Sequence, residues 1–264
     1  MIDTSATILE YFELPSKGKL YNPGGLDKFK MRSMTTTEEM KRLSHCEDAY
    51  RLISEIIDDC ILDKLPISCY DMHIGDYQYL LHRLRVVTYG SEYKVNSVCP
   101  YCGKLDTYTV DLDSLECVDF DEEDFQKYTK FTLPVCKKEV EIRFQTPRLI
   151  DKIEEKKRDL LKRNPNFQGD PAILFTVVNL IKTLDGKVLD PIKLERIVRD
   201  MSMGDVNKIL QYSMKLNNKV GLKNVIEHNC TGCGVDYTSP FRLTSEFFGP
   251  SFDDWWQTLW SSKI

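Results

Sequence analysis

The sequence has no long hydrophobic run and no excess of positive charge. Its most apolar window, Ala172 to Ile181, is about half the length needed to cross a bilayer. The start, Met1 to Ser5, has no basic stretch followed by an apolar run, so we expect no signal peptide and a soluble protein made in a cytoplasm. The net charge of -5 argues against a chain whose main partner is a phosphate backbone.

Motifs of the common enzyme classes are also absent. The chain has no G-x-S-x-G nucleophile elbow, no P-loop and no dinucleotide-binding glycine pattern. His45, His73 and His82 have no nucleophile or carboxylate arranged around them in the sequence. We therefore expect a protein that is not an enzyme and has no small-molecule substrate.

Cysteine, by contrast, is plentiful, and four of the nine cysteines form two CxxC motifs that are each followed by glycine. Two intervening residues let both sulfurs of a motif face one ion, and glycine relieves the crowded position after the second cysteine. In a reducing compartment such motifs indicate metal before disulfide. The predicted ligands of one structural Zn²⁺ are Cys99, Cys102, Cys230 and Cys233.

The separation of the two motifs departs from that of a simple zinc ribbon, because 127 residues lie between Cys102 and Cys230. The spacing is compatible with a zinc ribbon if a helical block is inserted between its two halves. Two unrelated pairs of reduced core cysteines are the alternative, and His228 could replace one thiolate. A closed four-thiolate site has no open position for water or substrate, so the zinc would be structural.

Hydrophobic periodicity predicts an α+β fold. Residues 8–14 and 29–32 look like strands, Thr35 and Glu38 form a capping-box signature, and strand-like segments flank each CxxC motif. Apolar stripes predict helices over 52–61, 76–87 and 149–161. The run 173–178, in a mostly helical region, is apolar all round, so we expect it to be buried on every side. A last helix begins at Ser202 and is expected to end at Gly221, whereas 119–124 is expected to be a solvated acidic loop.

The 264 residues suffice for one large domain or two small ones. We divide the chain into five parts: an N-terminal β-hairpin and helical region (1–90), the first half of a split zinc ribbon (91–117), a mostly helical insertion (118–222), the second half of the ribbon (223–246) and an aromatic C-terminal segment (247–264).

The aromatic C-terminal segment is the best candidate for a partner surface. Trp256, Leu259 and Trp260 fall at i, i+3 and i+4, so a short helix there would carry a large apolar face. Packing onto its own domain and docking onto a partner both remain open. The candidate partner-binding residues are Phe247, Phe248, Trp255, Trp256 and Trp260.

Two N-terminal stretches carry a resemblance to a known family. The first runs from Phe12 to Tyr21 and contains Leu14-Pro15-Ser16 and Gly18; the second runs from Met31 to Glu39. Together they resemble the small baseplate hub and hub-assembly proteins of T-even-like contractile-tailed bacteriophages. That family opens with a similar turn followed by a strand-to-helix transition, and it often carries a CxxC motif in mid-chain.

The resemblance implies a structural protein of the phage tail baseplate hub, or an assembly factor for that hub. Its partners would be other hub proteins, and its location the host cytoplasm during assembly or the tail baseplate of the virion. The competing class is a zinc-ribbon nucleic-acid-binding or transcription-related module. The acidic balance argues against that class, because Lys104 stands nearly alone on the first motif.

Overall fold

A computed structural model describes residues 9–21, 28–44, 46–63, 65, 67–223 and 225–240. It confirms a mixed α+β fold within these residues. The aromatic C-terminal segment lies outside them. No helix in the described ranges combines the length and the apolar character needed to span a bilayer.

The strands of the described residues are β1 (Leu9–Glu13), β2 (Lys28–Arg32), β3 (Glu92–Val98), β4 (Leu105–Asp111), β5 (Lys130–Thr132), β6 (Glu139–Ile142), β7 (Ile181–Leu184), β8 (Val225–Asn229) and β9 (Asp236–Pro240). The α-helices are α1 (Thr36–Arg42), α2 (Ala49–Cys60), α3 (Ile74–Tyr89), α4 (Glu122–Gln126), α5 (Pro147–Arg163), α6 (Ala172–Leu180), α7 (Pro191–Arg199) and α8 (Met203–Asn217). The sheets are antiparallel, with the orders β1-β2, β3-β4, β5-β6-β7 and β8-β9.

The N-terminal hairpin is fixed to α3 by a buried carboxylate. Asp76, in the first turn of α3, accepts hydrogen bonds from the Ser16 N–H (3.1 Å) and the Tyr21 hydroxyl (2.6 Å). The Tyr21 oxygen in turn accepts from the His73 N–H at 2.9 Å. Burial raises the pKa of Asp76. The stretch that carries the family resemblance thus folds back onto the first turn of α3.

The predicted capping box is confirmed at the start of α1. The Thr35 side chain accepts from the helix backbone, while the Glu38 carboxylate accepts from the Thr35 N–H at 2.7 Å. The neighbouring Arg32 guanidinium is the main cause that lowers the pKa of Glu38 to about 2. The capping box therefore sets where α1 begins.

Two buried clusters form the cores. The first joins the N-terminal hairpin, α2 and α3, and also contains Val110 of β4 and Ile226 of β8. The second comprises buried residues between Phe120 and Val220, drawn from α4 to α8 and the sheet β5-β6-β7. Residues 120–220 therefore bury an apolar core of their own.

The two ends of this block lie side by side. The Val118 N–H donates to the Gly221 carbonyl and the Lys223 N–H to the Glu116 carbonyl, both at 2.8 Å. Cys117 and Leu222 form an antiparallel bridge between them. We call residues 116–118 and 221–223 the stem. A chain that leaves and returns at one place is what the predicted insertion requires, although its boundaries stay a prediction.

Glycine permits a close backbone contact at the stem. Gly221 has a φ of +107°, and a Cβ atom there would lie 2.9 Å from the Cα atom of Gly75. A Cβ atom on Gly75 would overlap the Val220 carbonyl. Side chains at either position would push α3 and the stem apart.

Three local predictions differ from the structure. The acidic run contains α4, because Asp121 accepts from the N–H groups of Glu123 (2.9 Å) and Asp124 (3.2 Å). Helix α8 ends at Asn217, before Gly221. Gly221 instead allows the close contact between the stem and Gly75 of α3. The run 173–178 is not buried all round, since Ile173 is 51% exposed.

We predict that Gly221→Ala destabilises the protein more than Gly169→Ala does. Gly169 has a similar φ of +105°, but a Cβ atom there would meet nothing within 4 Å, so it isolates the cost of the backbone conformation, about 1–3 kcal/mol. The clash with Gly75 adds to that cost at Gly221. Urea unfolding monitored by circular dichroism measures both, and equal losses would contradict the close contact.

Candidate metal centre

The four cysteines of the two CxxC motifs meet in one place, which we call the thiol cluster. Their sulfur atoms all lie within 4.8 Å of one another. The Sγ atoms of Cys99 and Cys233 are 3.8 Å apart, those of Cys102 and Cys230 are 3.5 Å apart, and all four thiols are free. Sulfurs that share one tetrahedral zinc at about 2.3 Å lie about 3.8 Å apart. The thiol cluster could therefore hold a metal ion.

The two motifs reach this arrangement through the same backbone turn, at the tips of β3-β4 and β8-β9, the two cysteine hairpins. The Cys99 N–H donates to the Lys104 carbonyl (2.9 Å) and the Gly103 N–H donates back to the Cys99 carbonyl (2.9 Å). The second hairpin repeats both bonds, from Cys230 N–H to the Val235 carbonyl (3.1 Å) and from Gly234 N–H to the Cys230 carbonyl (2.8 Å).

Glycine is required at the end of each turn. Gly103 and Gly234 have φ values of +73° and +71°, in the left-handed region that residues with a Cβ atom disfavour. The glycine that follows each motif in the sequence thus allows both cysteines to turn toward one point.

Each hairpin contributes one buried and one exposed sulfur. Cys99 and Cys230 are buried, whereas Cys102 and Cys233 are exposed, so an ion can reach the thiol cluster from solvent. N–H groups of Cys233 and Gly232 donate to the Cys230 sulfur and lower the pKa of its thiol to about 6. The hydrogen bond from the Lys104 N–H lowers the pKa of the Cys102 thiol, but the hydrogen bonds with the other three thiols raise it by more. The pKa of Cys102 is therefore raised to about 12. Four such close sulfurs ionise together only when a cation compensates their charge.

His228 is not part of the thiol cluster. Its Nε2 atom lies 2.7 Å from the Ser239 hydroxyl, and its ring centroid lies 4.4 Å from that of Tyr108 and 5.1 Å from that of Tyr237. Burial lowers its pKa, so the neutral imidazole is favoured. The histidine therefore supports the packing between the two hairpins.

Contacts between the hairpins were not predicted from the sequence. Lys104 and Asp106 of the first hairpin both bond the Thr231 hydroxyl of the second, the Asp106 contact at 2.7 Å. The Tyr237 hydroxyl lies 3.1 Å from the Ser97 hydroxyl, within hydrogen-bond distance. Partners in these pairs are 125 to 140 positions apart, so no local pattern links them. The one feature of the sequence that could have pointed to these contacts is the position of Thr231 inside the second CxxC motif.

The candidate partner-binding residues Phe247, Phe248, Trp255, Trp256 and Trp260 lie outside the described residues.

Comparison with models of protein families gives a match to the T4 bacteriophage base plate protein family over residues 7–249. The chain belongs to this family. Both CxxC motifs fall inside the matched range, and the resemblance seen in the N-terminal stretches is confirmed at the level of a T4-like phage baseplate protein. No curated protein and no solved structure matches the chain. As a baseplate protein it belongs to the phage tail and works among other phage proteins.

We predict that Thr231→Val weakens metal binding by about tenfold, because residues that orient metal ligands typically contribute about 10–100-fold to affinity. The substitution removes the bridge to Lys104 and Asp106 but keeps the turn. Thr238→Val, on an exposed position of β9, is the control. Competition between the protein and a chromophoric chelator for Co²⁺ measures the affinity. Unchanged affinity in Thr231→Val would show that the bridge does not hold the ligands.

Proposed function

We propose that this baseplate protein is a structural zinc-binding protein of the tail baseplate hub, or an assembly factor for that hub, and acts through protein-protein contacts. The observation that carries the proposal is the convergence of four sulfurs, from motifs 127 residues apart, at spacings that suit one ion. We further propose that the protein is not an enzyme.

The donor set favours zinc in a structural role. Thiolate ligands in a tetrahedral arrangement suit Zn²⁺, and the four cysteines would complete its coordination. A complete shell leaves no position for a reacting water or substrate. The ion would fix the tip of the first cysteine hairpin to that of the second, and so join residue 99 to residue 233.

The surface around the thiol cluster supports contacts with protein more than with nucleic acid. Lys104, the cation beside the first motif, is engaged with Asp106 at 3.3 Å and with Thr231. The second motif and its flanks, residues 229–236, contain no lysine or arginine. Binding to a phosphate backbone relies on several such cations.

The hub assignment is supported by the N-terminal stretches. The turn that resembles the hub family is held against α3 through Ser16, Tyr21 and Asp76. This motif is therefore structural, and it brings no catalytic residue with it.

We predict one zinc per purified chain, and loss of zinc in Cys99→Ser and in Cys230→Ser, because three thiolates and a hydroxyl form a weaker site. Cys136→Ser, which changes an exposed cysteine outside the thiol cluster, should keep the ion. Elemental analysis combined with native mass spectrometry gives the stoichiometry. A wild-type protein that is metal-free and still unfolds cooperatively in calorimetry would refute the zinc proposal.

We also predict that Trp256→Ala combined with Trp260→Ala abolishes co-purification with other hub proteins while zinc content and folding persist. Tryptophan in a partner's pocket typically contributes about 2 kcal/mol or more to binding. Phage with this change should accumulate unassembled hub components and heads without working tails.

Tyr101→Ala, which removes an exposed aromatic side chain beside the thiol cluster, is the control for this pair. Unfolding of the double variant would mean that the two tryptophans are core residues. A folded double variant that still builds infectious tails would place the docking surface elsewhere.

A further inference from the structure

A large cleft separates the two cysteine hairpins below the thiol cluster. Its volume is about 1090 Å³, and β4 and β8 form facing walls. At one end the hairpins are close, since the Tyr108 hydroxyl donates to the Asn229 carbonyl at 3.2 Å. Residues of the stem, Glu116, Val118, Leu222 and Lys223, line the other end. We call this space the edge cleft.

The strand β4 turns an unpaired edge to the cleft. In an antiparallel pair, alternate residues bond to the neighbouring strand, and those between them point their N–H and C=O groups outward. The bonds from Cys99 N–H to the Lys104 carbonyl and from Leu112 N–H to the Ser91 carbonyl fix this alternation in β3-β4. The outward-pointing residues of β4 are Leu105, Thr107, Thr109 and Asp111.

The strand β8, on the opposite wall, also turns an edge that pairs with no other strand toward the cleft. The bond from Cys230 N–H to the Val235 carbonyl makes Val225, Glu227 and Asn229 the outward-pointing residues of β8. The Val225 N–H already donates to the Lys223 carbonyl at 2.8 Å, so Glu227 and Asn229 offer the N–H groups of this edge. The Asn229 carbonyl accepts from Tyr108 of β4, which shows that this edge faces the first hairpin. Within the described ranges, no backbone hydrogen bond joins β4 to β8.

The outer edge of the second hairpin differs from the edge in the cleft. Pro240 occupies an outward-pointing position of β9, opposite Val225. Proline has no N–H group, and natural proteins use it to block pairing at exposed strand edges. The outward N–H group of Glu227 on β8 has no such block. Proline thus interrupts the outer edge of β9, whereas the strand edges inside the cleft contain no proline.

The other lining residues suit an extended polypeptide. Ile74, Val220 and Leu222 supply apolar surface, and Gln78 and Asn218 supply amide groups. Two carboxylates on the walls, Asp111 and Glu227, make no ion pair with a described residue, whereas Lys223 is paired with Glu116. The net charge of the cleft is therefore negative.

We propose that the edge cleft receives an extended, positively charged segment of another baseplate protein, which adds a strand to β4, to β8 or to both. Its alternate residues would be apolar, toward Ile74 and Leu222, and it would carry at least one lysine or arginine for Asp111 and Glu227. Main-chain hydrogen bonds would supply the affinity, as in other cases of strand addition. The inference rests on the proposed role in protein contacts.

Proline scanning of the free edges tests the proposal. Glu227→Pro and Thr109→Pro each remove an outward N–H group without removing a bond within a hairpin. Thr238→Pro is the matched control, because Thr238 lies directly opposite Glu227 and points to the outer edge. Each variant is supplied to infected cells in place of the phage's own copy, and metal content and circular dichroism check its fold. We expect at least tenfold fewer infectious particles with Glu227→Pro or Thr109→Pro, and full recovery with Thr238→Pro.

Hydrogen exchange of the unaltered chain gives a second measurement, which decides the question even if a proline variant fails to fold. Amides of Thr109 and Glu227 should exchange rapidly in the isolated protein and at least tenfold more slowly in the purified baseplate complex. Full recovery with both edge variants would overturn the proposal. So would amides that are already protected in the isolated protein, since the chain itself would then fill the cleft.

The two measurements separate this proposal from the proposed function. A chain that enters the baseplate with unchanged exchange at Thr109 and Glu227 refutes strand addition and leaves the baseplate role intact. A chain whose deletion leaves tail assembly unaffected refutes the hub role and the strand addition together.

Discussion

The stem joins the two ends of the block that has its own core, through backbone hydrogen bonds between residues 116–118 and 221–223. We call the chain between these ends the excursion. Gly221 lies in contact with Gly75, so the same point is also fixed to the start of α3. Seven residues after the stem the chain reaches Cys230. The geometry of the thiol cluster depends on this closure, because the stem places the chain segments that lead to the two cysteine hairpins side by side, and the residues between them bury a core of their own.

Closure by a folded block changes the energetics of the metal centre. In a flexible chain, joining ends more than a hundred residues apart costs conformational entropy that grows with the logarithm of the loop length. Here the packing of α5, α6 and α8 against the sheet β5-β6-β7 offsets that loss of conformational entropy. The two cysteine hairpins then touch through Thr231, Tyr237 and Tyr108 at the tip and diverge toward the stem. The same arrangement thus produces both the thiol cluster and the edge cleft.

Features set by neighbouring residues could be predicted from the sequence. The capping box of Thr35 and Glu38 and the α+β class depend on local spacing, as does each CxxC-Gly turn. Features set by distant contacts could not be predicted. Gly221 resembles a helix terminator, yet it serves the contact with Gly75, and α4 forms within an acidic run because Phe125 finds a buried position. The bridge from Lys104 to Thr231 likewise joins residues 127 positions apart.

The order of the two motifs along the chain has a consequence during protein synthesis. Cys102 is made 128 residues before Cys230, which at about 5–20 residues per second corresponds to roughly 6–26 s. Through that interval the first hairpin presents two thiols without their counterparts, and the second pair can join them only after the intervening residues have been synthesised. Completion of the four-sulfur cluster is therefore a late event in the synthesis of the chain.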